Sequence, residues 1–410
     1  MMNFKFNTGG QGRPPLHINF NIHIKFFRKV YILMKKILIF YGSYGGGHLS
    51  AAKSISEFLK KQNPDLVVEM VDCIEYISKY LNKLSTEAYK EMAKKFPFMW
   101  EHFYNRSQEG ALAKFTTTTN RIFSYKLKQL IIDFKPDLII STHPFSTQMC
   151  TILKKKKVIN CKVATILTDY KIHSQWLYLP EYMDYYFVSN SEMKKDMVLK
   201  GINSEKIFIT GIPVSAKFSE KFDKKLIYSE FGLSPELRTV LFFAGGEFGL
   251  GRNTTFMTLK AIIRLFKDTQ VVAISGKNHK MNEKFKNLIE ITNSSDRVKL
   301  LDFSNKIPEL MAISDFVVTK PGGLTVTESL VSNLPIVIIN PIPGQEEENA
   351  EFLVENEAAI WIKKEDNIAR ALKNLYRNPD MFEKMSKNTK KLAKPNSTQE
   401  ICEILLENFR

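Results

Sequence analysis

The sequence predicts an α/β protein that contains two doubly wound parallel sheets, each covered by helices on both faces. Three observations lead to this prediction. The chain has 410 residues, 44% of them hydrophobic, which suits two or three domains with full cores. From Met34 onward, short apolar runs that resemble buried strands alternate with helical patterns. The alternation pauses near Gly211-Ile212-Pro213 and then restarts, so we place a domain boundary near residue 213.

Twelve strands are predicted, six on each side of this pause. The first six are Ile37–Tyr41, Leu66–Val71, Leu138–Ser141, Val163–Leu167, Tyr185–Val188 and Ile207–Thr210. The second six are Thr239–Ala244, Val271–Ser275, Val298–Leu301, Phe316–Thr319, Ile336–Ile339 and Ile360–Ile362. The domains are therefore expected at residues 34–213 and 214–395.

Residues 1–33 contain no acidic residue and no clear helical or strand period. We expect them to be a disordered or mis-called extension, with Met34 as the natural start. Polar residues interrupt the apolar run that a signal peptide needs, and no stretch has the roughly 18–20 apolar residues that span a bilayer. Membrane contact is therefore expected to be peripheral.

The positive charge is concentrated in the first half of the chain. Residues 1–200 hold 30 Lys and Arg against 16 Asp and Glu, a net of +14, out of +16 for the whole chain. Such an excess suits an anionic partner, which could be phospholipid, nucleic acid or a phosphorylated substrate. Between residues 79 and 129 a long helical stretch combines bases with aromatic side chains, among them Phe98, Trp100 and Phe103.

A glycine-rich loop follows the first predicted strand and ends in Gly46, Gly47 and His48. In open α/β sheets, ligands bind beyond the carboxyl ends of the strands. The loop lacks the Gly-Lys-Ser/Thr of a P-loop and the spacing of a dinucleotide fingerprint, so its glycines alone could form an ordinary turn. A histidine at the mouth of such a loop can serve as a general base near neutral pH.

Two further glycine loops follow strands in the second half. The first contains Gly245, Gly246 and Glu247 and suits a mobile loop that closes on phosphates. The second is Lys320-Pro321-Gly322-Gly323-Leu324-Thr325-Val326-Thr327-Glu328, which opens a predicted helix. Free N–H groups at a helix start, with the Thr325 hydroxyl, can hold a diphosphate. Glu328, one turn further, could accept both hydroxyls of a ribose, or it could simply be a favourable acid near a helix start.

A fourth loop, Pro341-Ile342-Pro343-Gly344, precedes another helix, and Gln345, Glu346 and Asn349 cluster at the start of that helix. Their mixed donors and acceptors suit a polyol such as a sugar. The acidic residues could also complement the helix dipole, although this would leave the rigid loop before them unexplained.

These motifs together resemble the bacterial processive diacylglycerol glucosyltransferases. They are also similar to the plant monogalactosyldiacylglycerol synthases and, more distantly, to the MurG-type N-acetylglucosaminyltransferase. The resemblance rests on Gly45-Gly46-Gly47-His48, Lys320-Pro321-Gly322-Gly323-Leu324-Thr325, Pro343-Gly344-Gln345-Glu346 and Leu167-Thr168-Asp169-Tyr170. It covers nearly all of residues 34–410 and implies the two-domain GT-B architecture, with a cleft between the domains.

The resemblance also implies a role for each site residue. The UDP-sugar would lie on the second domain, with its diphosphate at Gly322, Gly323, Leu324 and Thr325, its ribose at Glu328 and its sugar at Gln345, Glu346 and Asn349. The loop with Gly245, Gly246 and Glu247 would lie against the phosphates. His48 would be the base, with Asp169 next in line for that role, and Asp169 and His173 would line the same cleft. The acceptor side would include Gly46, Gly47, His173 and Trp176. The basic, aromatic stretch would dock on an anionic membrane and present the lipid, and the last helix, within residues 396–410, would return to the first domain.

The expected chemistry is direct displacement at the anomeric carbon, which inverts its configuration and gives a β-linked product from an α-linked donor. No cofactor is expected, and no metal, since the sequence has no Asp-x-Asp motif and no histidine pair at ligand spacing. Three alternatives stay open: a transferase that acts on a polyprenyl-linked precursor, a UDP-sugar epimerase, and a basic nucleic-acid-binding protein. The last leaves the glycine loops unexplained, so nucleic acid is not an expected partner. Glucose and galactose donors are not distinguished.

Overall fold

A computed structural model of the chain describes residues 35–42, 46–77, 127–245, 252–276 and 278–407. Within these ranges the chain forms two parallel sheets of six strands each. The predicted α/β class and its two doubly wound sheets are confirmed.

The first sheet has the strand order β2-β1-β3-β4-β5-β6. Its strands are β1 Lys36–Tyr41, β2 Val67–Asp72, β3 Leu138–Ser141, β4 Lys162–Ile166, β5 Tyr185–Val188 and β6 Ile207–Ile209. Ile37 to Phe40 of β1 are fully buried because helices cover both faces of the sheet.

The second sheet has the strand order β12-β11-β10-β7-β8-β9. Its strands are β7 Arg238–Phe243, β8 Thr269–Ile274, β9 Val298–Leu301, β10 Phe316–Thr319, β11 Ile336–Ile339 and β12 Ala359–Ile362. All twelve predicted strands are present, and where bounds differ they differ by one or two residues.

Helices connect the strands and cover both sheets. In the first half they are α1 Gly47–Gln62, α2 Cys73–Ile77, α3 at residues 127–134, α4 Pro144–Lys155 and α5 Ser191–Leu199. From the linker onward they are α6 Lys224–Phe231, α7 Arg252–Leu265, α8 His279–Ile291, α9 Ile307–Ile313, α10 Gly323–Val331, α11 Gln345–Glu355, α12 Ile368–Arg377, α13 Pro379–Leu392 and α14 Ser397–Glu407.

The last helix belongs to the core of the first domain, although it lies at the far end of the chain. Ile401, Cys402 and Leu405 of α14 are buried in the same apolar cluster as Ile37 and Ile39 of β1. Just before the helix, Lys394 packs on Gly211, and Thr398 donates to the Val214 carbonyl at 2.8 Å. The chain thus crosses between the domains twice within a small region.

Three of the sequence predictions lie outside the described residues. These are the extension at residues 1–33, almost all of the basic, aromatic stretch, including Phe98, Trp100 and Phe103, and the site residues Gly246 and Glu247. The domain boundary near residue 213 falls between β6 and β7 and stays a prediction.

Candidate active site

Each sheet has one point at which successive connections run in opposite directions. In the first sheet β1 lies between β2 and β3, so this switch point lies between β1 and β3. In the second sheet β7 lies between β8 and β10, so the switch point of this sheet lies between β7 and β10. Ligands of doubly wound sheets bind at such points, outside the carboxyl ends of the strands. The loops that start at Gly42, Thr142, Gly245 and Lys320 all occupy these positions.

The loops of the two sheets meet in one cleft. A Cβ atom built on Gly47 of the first domain would lie 3.7 Å from Cβ of Leu324 in the second. A Cβ atom on Gly323 would lie only 1.9 Å from the carbonyl oxygen of Thr168. The start of α1 therefore faces the start of α10, and the histidine loop lies next to the glycine-rich loop of the second domain.

His48, in the first turn of α1, is held by the loop that follows β3. Its Nδ1 lies 2.5 Å from the carbonyl oxygen of Thr142 and 3.1 Å from the hydroxyl oxygen of Thr168. The Thr142 hydroxyl donates in turn to the His48 carbonyl at 2.9 Å. Since a carbonyl oxygen only accepts, Nδ1 carries the proton and the neutral ring has its lone pair on Nε2.

Burial keeps the His48 ring neutral. It lowers the pKa of His48 to about 4, although the hydrogen bond to Thr142 opposes this shift. The His143 ring packs edge-on against it, with 4.6 Å between the ring centroids, and burial also lowers the pKa of His143 well below its usual value. A neutral imidazole with a free Nε2 can accept a proton at neutral pH.

Asp169 is half-buried at the contact between the domains. Its Oδ1 accepts from Nδ2 of Asn349 at 3.3 Å. Burial raises the pKa of Asp169 to about 7; the bond from Asn349 opposes this rise, while Glu348 and Glu346 add to it. Asp169 is therefore about half protonated near neutral pH.

Asn349, which the sequence places on the donor sugar, joins the two domains instead. It is fully buried, its amide oxygen accepts from the Tyr170 N–H at 2.8 Å, and its Nδ2 also donates to the Pro321 carbonyl at 3.0 Å. Tyr170 adds a hydroxyl bond to Thr327 at 2.9 Å and stacks on Phe352. With both ends of its amide in use, Asn349 has little capacity left for a sugar.

Glu328 is the sixth residue of α10 and lies in the turn that follows the N-terminal turn. Burial alone raises the pKa of its carboxyl to about 8, and no described cation or donor offsets the shift. A buried carboxyl group without such a partner is costly unless a ligand supplies hydrogen bonds. The Glu328 side chain is half-buried, and its role toward a ribose stays a prediction.

Lys320 and Glu346 form a largely buried ion pair across the glycine-rich loop. Lys320 Nζ lies 3.1 Å from Oε1 of Glu346, both side chains are 17% exposed, and Oε2 accepts from the Ile342 N–H at 2.7 Å. Cε of the Lys320 side chain lies 3.6 Å from the position that a Cβ atom on Gly245 would take. This places a positive charge at the switch point of the second sheet, beside the start of α11 at Gln345.

The helix starts supply further donors. The N–H groups of Gly323, Leu324 and Thr325 are in the first turn of α10, where a helix offers its own backbone no acceptors. Gly322 precedes this turn as its N-cap. Gly246 and Glu247, expected to close on the same region, lie outside the described residues.

Two residues assigned to the acceptor side are core residues. Trp176 is 1% exposed and belongs to the main apolar cluster of the first domain, with 6.5 Å between its ring and that of His48. His173 is 6% exposed, and its Nδ1 accepts from the Gln175 N–H at 3.2 Å. Neither side chain can enter a lipid surface from this position, and their assignment to the acceptor side stays a prediction.

Three residues of the site were not assigned from sequence. Thr142 and Thr168 orient His48, and Lys320 pairs with Glu346. Lys320 and Thr168 stand inside motifs that the sequence analysis quotes, so their positions carried a signal. Thr142 makes its bond to His48 through a backbone carbonyl, which any residue type would supply, and no side-chain pattern could have indicated it.

Comparison with known proteins agrees with this two-part site. The family model for monogalactosyldiacylglycerol (MGDG) synthase matches residues 48–214, and the model for group 1 glycosyl transferases matches residues 255–392. The chain is 30% identical to the processive diacylglycerol beta-glucosyltransferase of Bacillus pumilus over 91% of its own length and 95% of the relative's. The enzyme of the same name from Staphylococcus aureus strain JH9 is 32% identical over 91% of this chain and 93% of the relative.

The chain belongs to the diacylglycerol glucosyltransferase family. This confirms the resemblance drawn from the motifs.

Solved structures of other proteins share the fold of this chain, although their sequence identity to it is low. MurG from Acinetobacter baumannii is 13% identical, covers 91% of this chain and 99% of its own, and superposes with a TM-score of 0.59. The UDP-GlcNAc 2-epimerase from Neisseria meningitidis, solved with UDP-GlcNAc, is 16% identical to this chain. The match covers 91% of this chain and 100% of the epimerase chain, with a TM-score of 0.60. At these identities the likeness shows the GT-B architecture alone. No helix among the described residues is long and apolar enough to cross a membrane.

Proposed function

We propose that the protein transfers a hexose from a UDP-sugar to the free hydroxyl of diacylglycerol, giving a β-linked glycosyldiacylglycerol. One observation carries the proposal: the His48 loop of the first domain and the start of α10 in the second meet in one cleft, with Gly47 next to Leu324. A base and a nucleotide site are thus brought together on opposite walls. The family relatives, which are named as diacylglycerol beta-glucosyltransferases, support the same reaction.

The donor lies on the second domain in this proposal. Glu328 accepts the ribose hydroxyls, and the free N–H groups of α10 receive the diphosphate. Lys320 adds a positive charge beside them, and Glu346, which Lys320 and the Ile342 N–H hold in place, faces the hexose together with Gln345. The Glu346 carboxylate keeps lone pairs for hydroxyl donors because each of its oxygens can accept more than one hydrogen bond.

His48 acts as the general base in this proposal. Its Nε2 takes the proton from the acceptor hydroxyl while the oxygen attacks the anomeric carbon and the bond to the UDP oxygen breaks. The charge that develops on UDP is stabilised by the helix start and by Lys320. One displacement inverts the anomeric carbon. Asp169 is the second candidate for the base because its pKa of about 7 leaves it partly ionised at neutral pH.

The two enzymatic alternatives share the architecture and differ in what they do with the sugar. An epimerase changes the nucleotide-sugar itself and needs no acceptor, whereas a MurG-like enzyme transfers N-acetylglucosamine to a polyprenyl-linked precursor. The family relatives favour the diacylglycerol acceptor over both, since they match at 30% identity or more, against 16% or less for the epimerase and MurG structures.

We also propose that the first domain docks on the anionic inner face of the cell membrane, where diacylglycerol is available. Support comes from the net charge of +14 in residues 1–200 and from the aromatic and basic residues around Phe98, Trp100 and Phe103. Bases attract anionic lipid while rings enter the headgroup region, so the two contributions add.

A lipid-product assay tests the proposed function. Purified protein is incubated with UDP-glucose, UDP-galactose or UDP-N-acetylglucosamine, with diacylglycerol or a polyprenyl-phosphate acceptor, and the products are separated and weighed by mass spectrometry. We expect a hexosyldiacylglycerol with a β linkage. N-acetylglucosamine on the polyprenyl acceptor, or conversion of the nucleotide-sugar without any acceptor, would contradict the proposal.

A further inference from the structure

Thr168 contacts two parts of the candidate active site that lie in different domains. Its hydroxyl oxygen is 3.1 Å from Nδ1 of His48, in the first domain. Its carbonyl oxygen lies against Gly323, the first residue of α10 in the second domain. Thr168 is itself only 6% exposed, so both contacts are made away from bulk solvent. One residue therefore connects the proposed base with the wall of the cleft that receives the donor.

The hydroxyl of Thr168 acts on the nitrogen of His48 that does not react. The Nδ1 proton points to the Thr142 carbonyl, only 2.5 Å away, so the Thr168 hydroxyl oxygen is a second acceptor for the same N–H. When Nε2 takes a proton, the ring becomes positive and its Nδ1–H becomes a stronger donor. Two acceptors on Nδ1 then stabilise the charged ring and keep Nε2 directed away from them.

The second domain fixes the segment that carries Thr168. Next to it, the Tyr170 N–H donates to Asn349 at 2.8 Å and the Tyr170 hydroxyl bonds Thr327 at 2.9 Å. The close approach at Gly323 leaves no room for a side chain there, since a Cβ atom would fall 1.9 Å from the Thr168 oxygen. Ser189 and Asn190 of the first domain donate to the carbonyl oxygens of Asp169 and Tyr170, so contacts from both domains hold Thr168 beside His48.

We propose that Thr168 is a positioning residue for glycosyl transfer, which holds His48 in its reactive orientation when the two domains are in contact. The inference rests on the proposed function of His48 as the base. Loss of the Thr168 hydroxyl should lower turnover and leave donor binding unchanged, because the hydroxyl contacts Nδ1 of His48 while the contact with Gly323 is made by the backbone carbonyl.

Three variants test this assignment. Thr168→Val keeps the shape and removes the hydroxyl, Thr168→Ser keeps the hydroxyl, and Thr258→Val is the matched control. Thr258 is buried like Thr168, but its hydroxyl donates to the Thr254 carbonyl within α7. For each protein, kcat and KM are measured, UDP affinity is determined by calorimetry, and a melting curve is recorded.

We expect Thr168→Val to lower kcat about tenfold, as loss of one hydrogen bond to a charged group would. Its KM for the UDP-sugar and its UDP affinity should stay within about twofold of the wild type, a margin well below the tenfold effect of one such bond. Thr168→Ser should recover most of the turnover, and Thr258→Val should match the wild type. Nitrogen NMR of labelled histidine, with His48→Ala for assignment, should show the proton on Nδ1 of His48.

Several results would overturn the inference. A proton on Nε2 of His48 in the wild type, unchanged turnover in Thr168→Val, or a turnover loss that the Ser variant shares would each do so. A fall in UDP affinity equal to the fall in kcat would instead indicate a purely structural role for Thr168. If the wild type forms no glycolipid at all, the proposed function fails. The NMR measurement still decides independently which ring nitrogen of His48 carries the proton.

Discussion

The carbonyl oxygen of Thr168 occupies the space that a side chain at position 323 would need, 1.9 Å from the ideal Cβ position of Gly323. Real Cβ atoms do not approach an oxygen so closely, so only glycine permits this contact between the domains. Gly323 therefore has a role that the sequence did not indicate, since the motif predicted it as a diphosphate residue. Both roles can be separated by experiment.

Gly323→Ala should reduce turnover at least tenfold, because the clash must separate α10 from the Thr168 segment and so disturb the contact between Thr168 and His48. UDP affinity should change less than about threefold, since a methyl group leaves Glu328 and the N–H groups of α10 in place. Turnover assays and calorimetry with UDP measure the two effects. Gly322→Ala is the matched comparison: its Cβ would have Glu346 Oε1 as nearest neighbour at 3.8 Å, so a much smaller loss of turnover is expected. A large loss of UDP affinity in Gly323→Ala would favour the diphosphate role instead.

The strands were predictable because buried parallel strands are continuous apolar runs, as in Ile37 to Phe40, and the glycine loops mark their carboxyl ends. The site was predictable only in part. Asn349 and Trp176 stand in motifs that suggest ligand contact, yet one bonds Tyr170 across the domains and the other lies in the core. Contacts between residues about 180 positions apart depend on how the two sheets face each other, and no local pattern contains that information.

The pH dependence of turnover distinguishes the two candidate bases. A base must be unprotonated, so turnover falls as the pH drops through its pKa. Burial lowers the pKa of His48 to about 4, whereas it raises that of Asp169 to about 7. If His48 is the base, kcat should stay nearly constant from pH 8 down to about pH 5.5. A decline centred near pH 7 that disappears in Asp169→Asn, in a variant that still turns over, would assign the role to Asp169.

Glu328→Gln should weaken UDP binding and reduce the loss of stability at high pH. Ribose hydroxyls that donate to Glu328 would favour its ionised form, and hydrogen bonds to a charged group contribute about 1.5–3 kcal/mol, which a neutral amide would not supply. The raised pKa of about 8 means that folded Glu328 holds its proton while the unfolded residue, with its usual value near 4.5, does not. Stability contributed by Glu328 therefore falls as the pH rises through this window.

Calorimetry with UDP and melting curves at pH 5 and pH 8.5 check both effects of Glu328→Gln. The Tm of the variant minus the Tm of the wild type should be a few degrees higher at pH 8.5 than at pH 5. Unchanged UDP affinity in the folded variant would remove Glu328 from the ribose site. An equal difference in Tm at both pH values would contradict its raised pKa.

The protein should bind anionic vesicles, and this binding should weaken as salt rises. Each basic residue near such a surface contributes on the order of 1 kcal/mol, and salt screens the attraction. Co-sedimentation with anionic and with neutral vesicles at two salt concentrations measures this. Replacing Trp100 and Phe103 by Ser should reduce vesicle binding and leave UDP affinity unchanged, with a melting curve as the control for folding. Absent or salt-independent binding of the wild type would contradict membrane docking.

The turnover of His48→Ala tests the central claim most directly. In the proposed mechanism the donor lies on the second domain, and Nε2 of His48 in the first domain takes the proton. With both substrates saturating, kcat for glycolipid formation should fall about 10²–10⁴-fold, while UDP affinity measured on the same protein stays at the wild-type value. Turnover close to that of the wild type, in a folded His48→Ala protein that binds UDP normally, would contradict the claim.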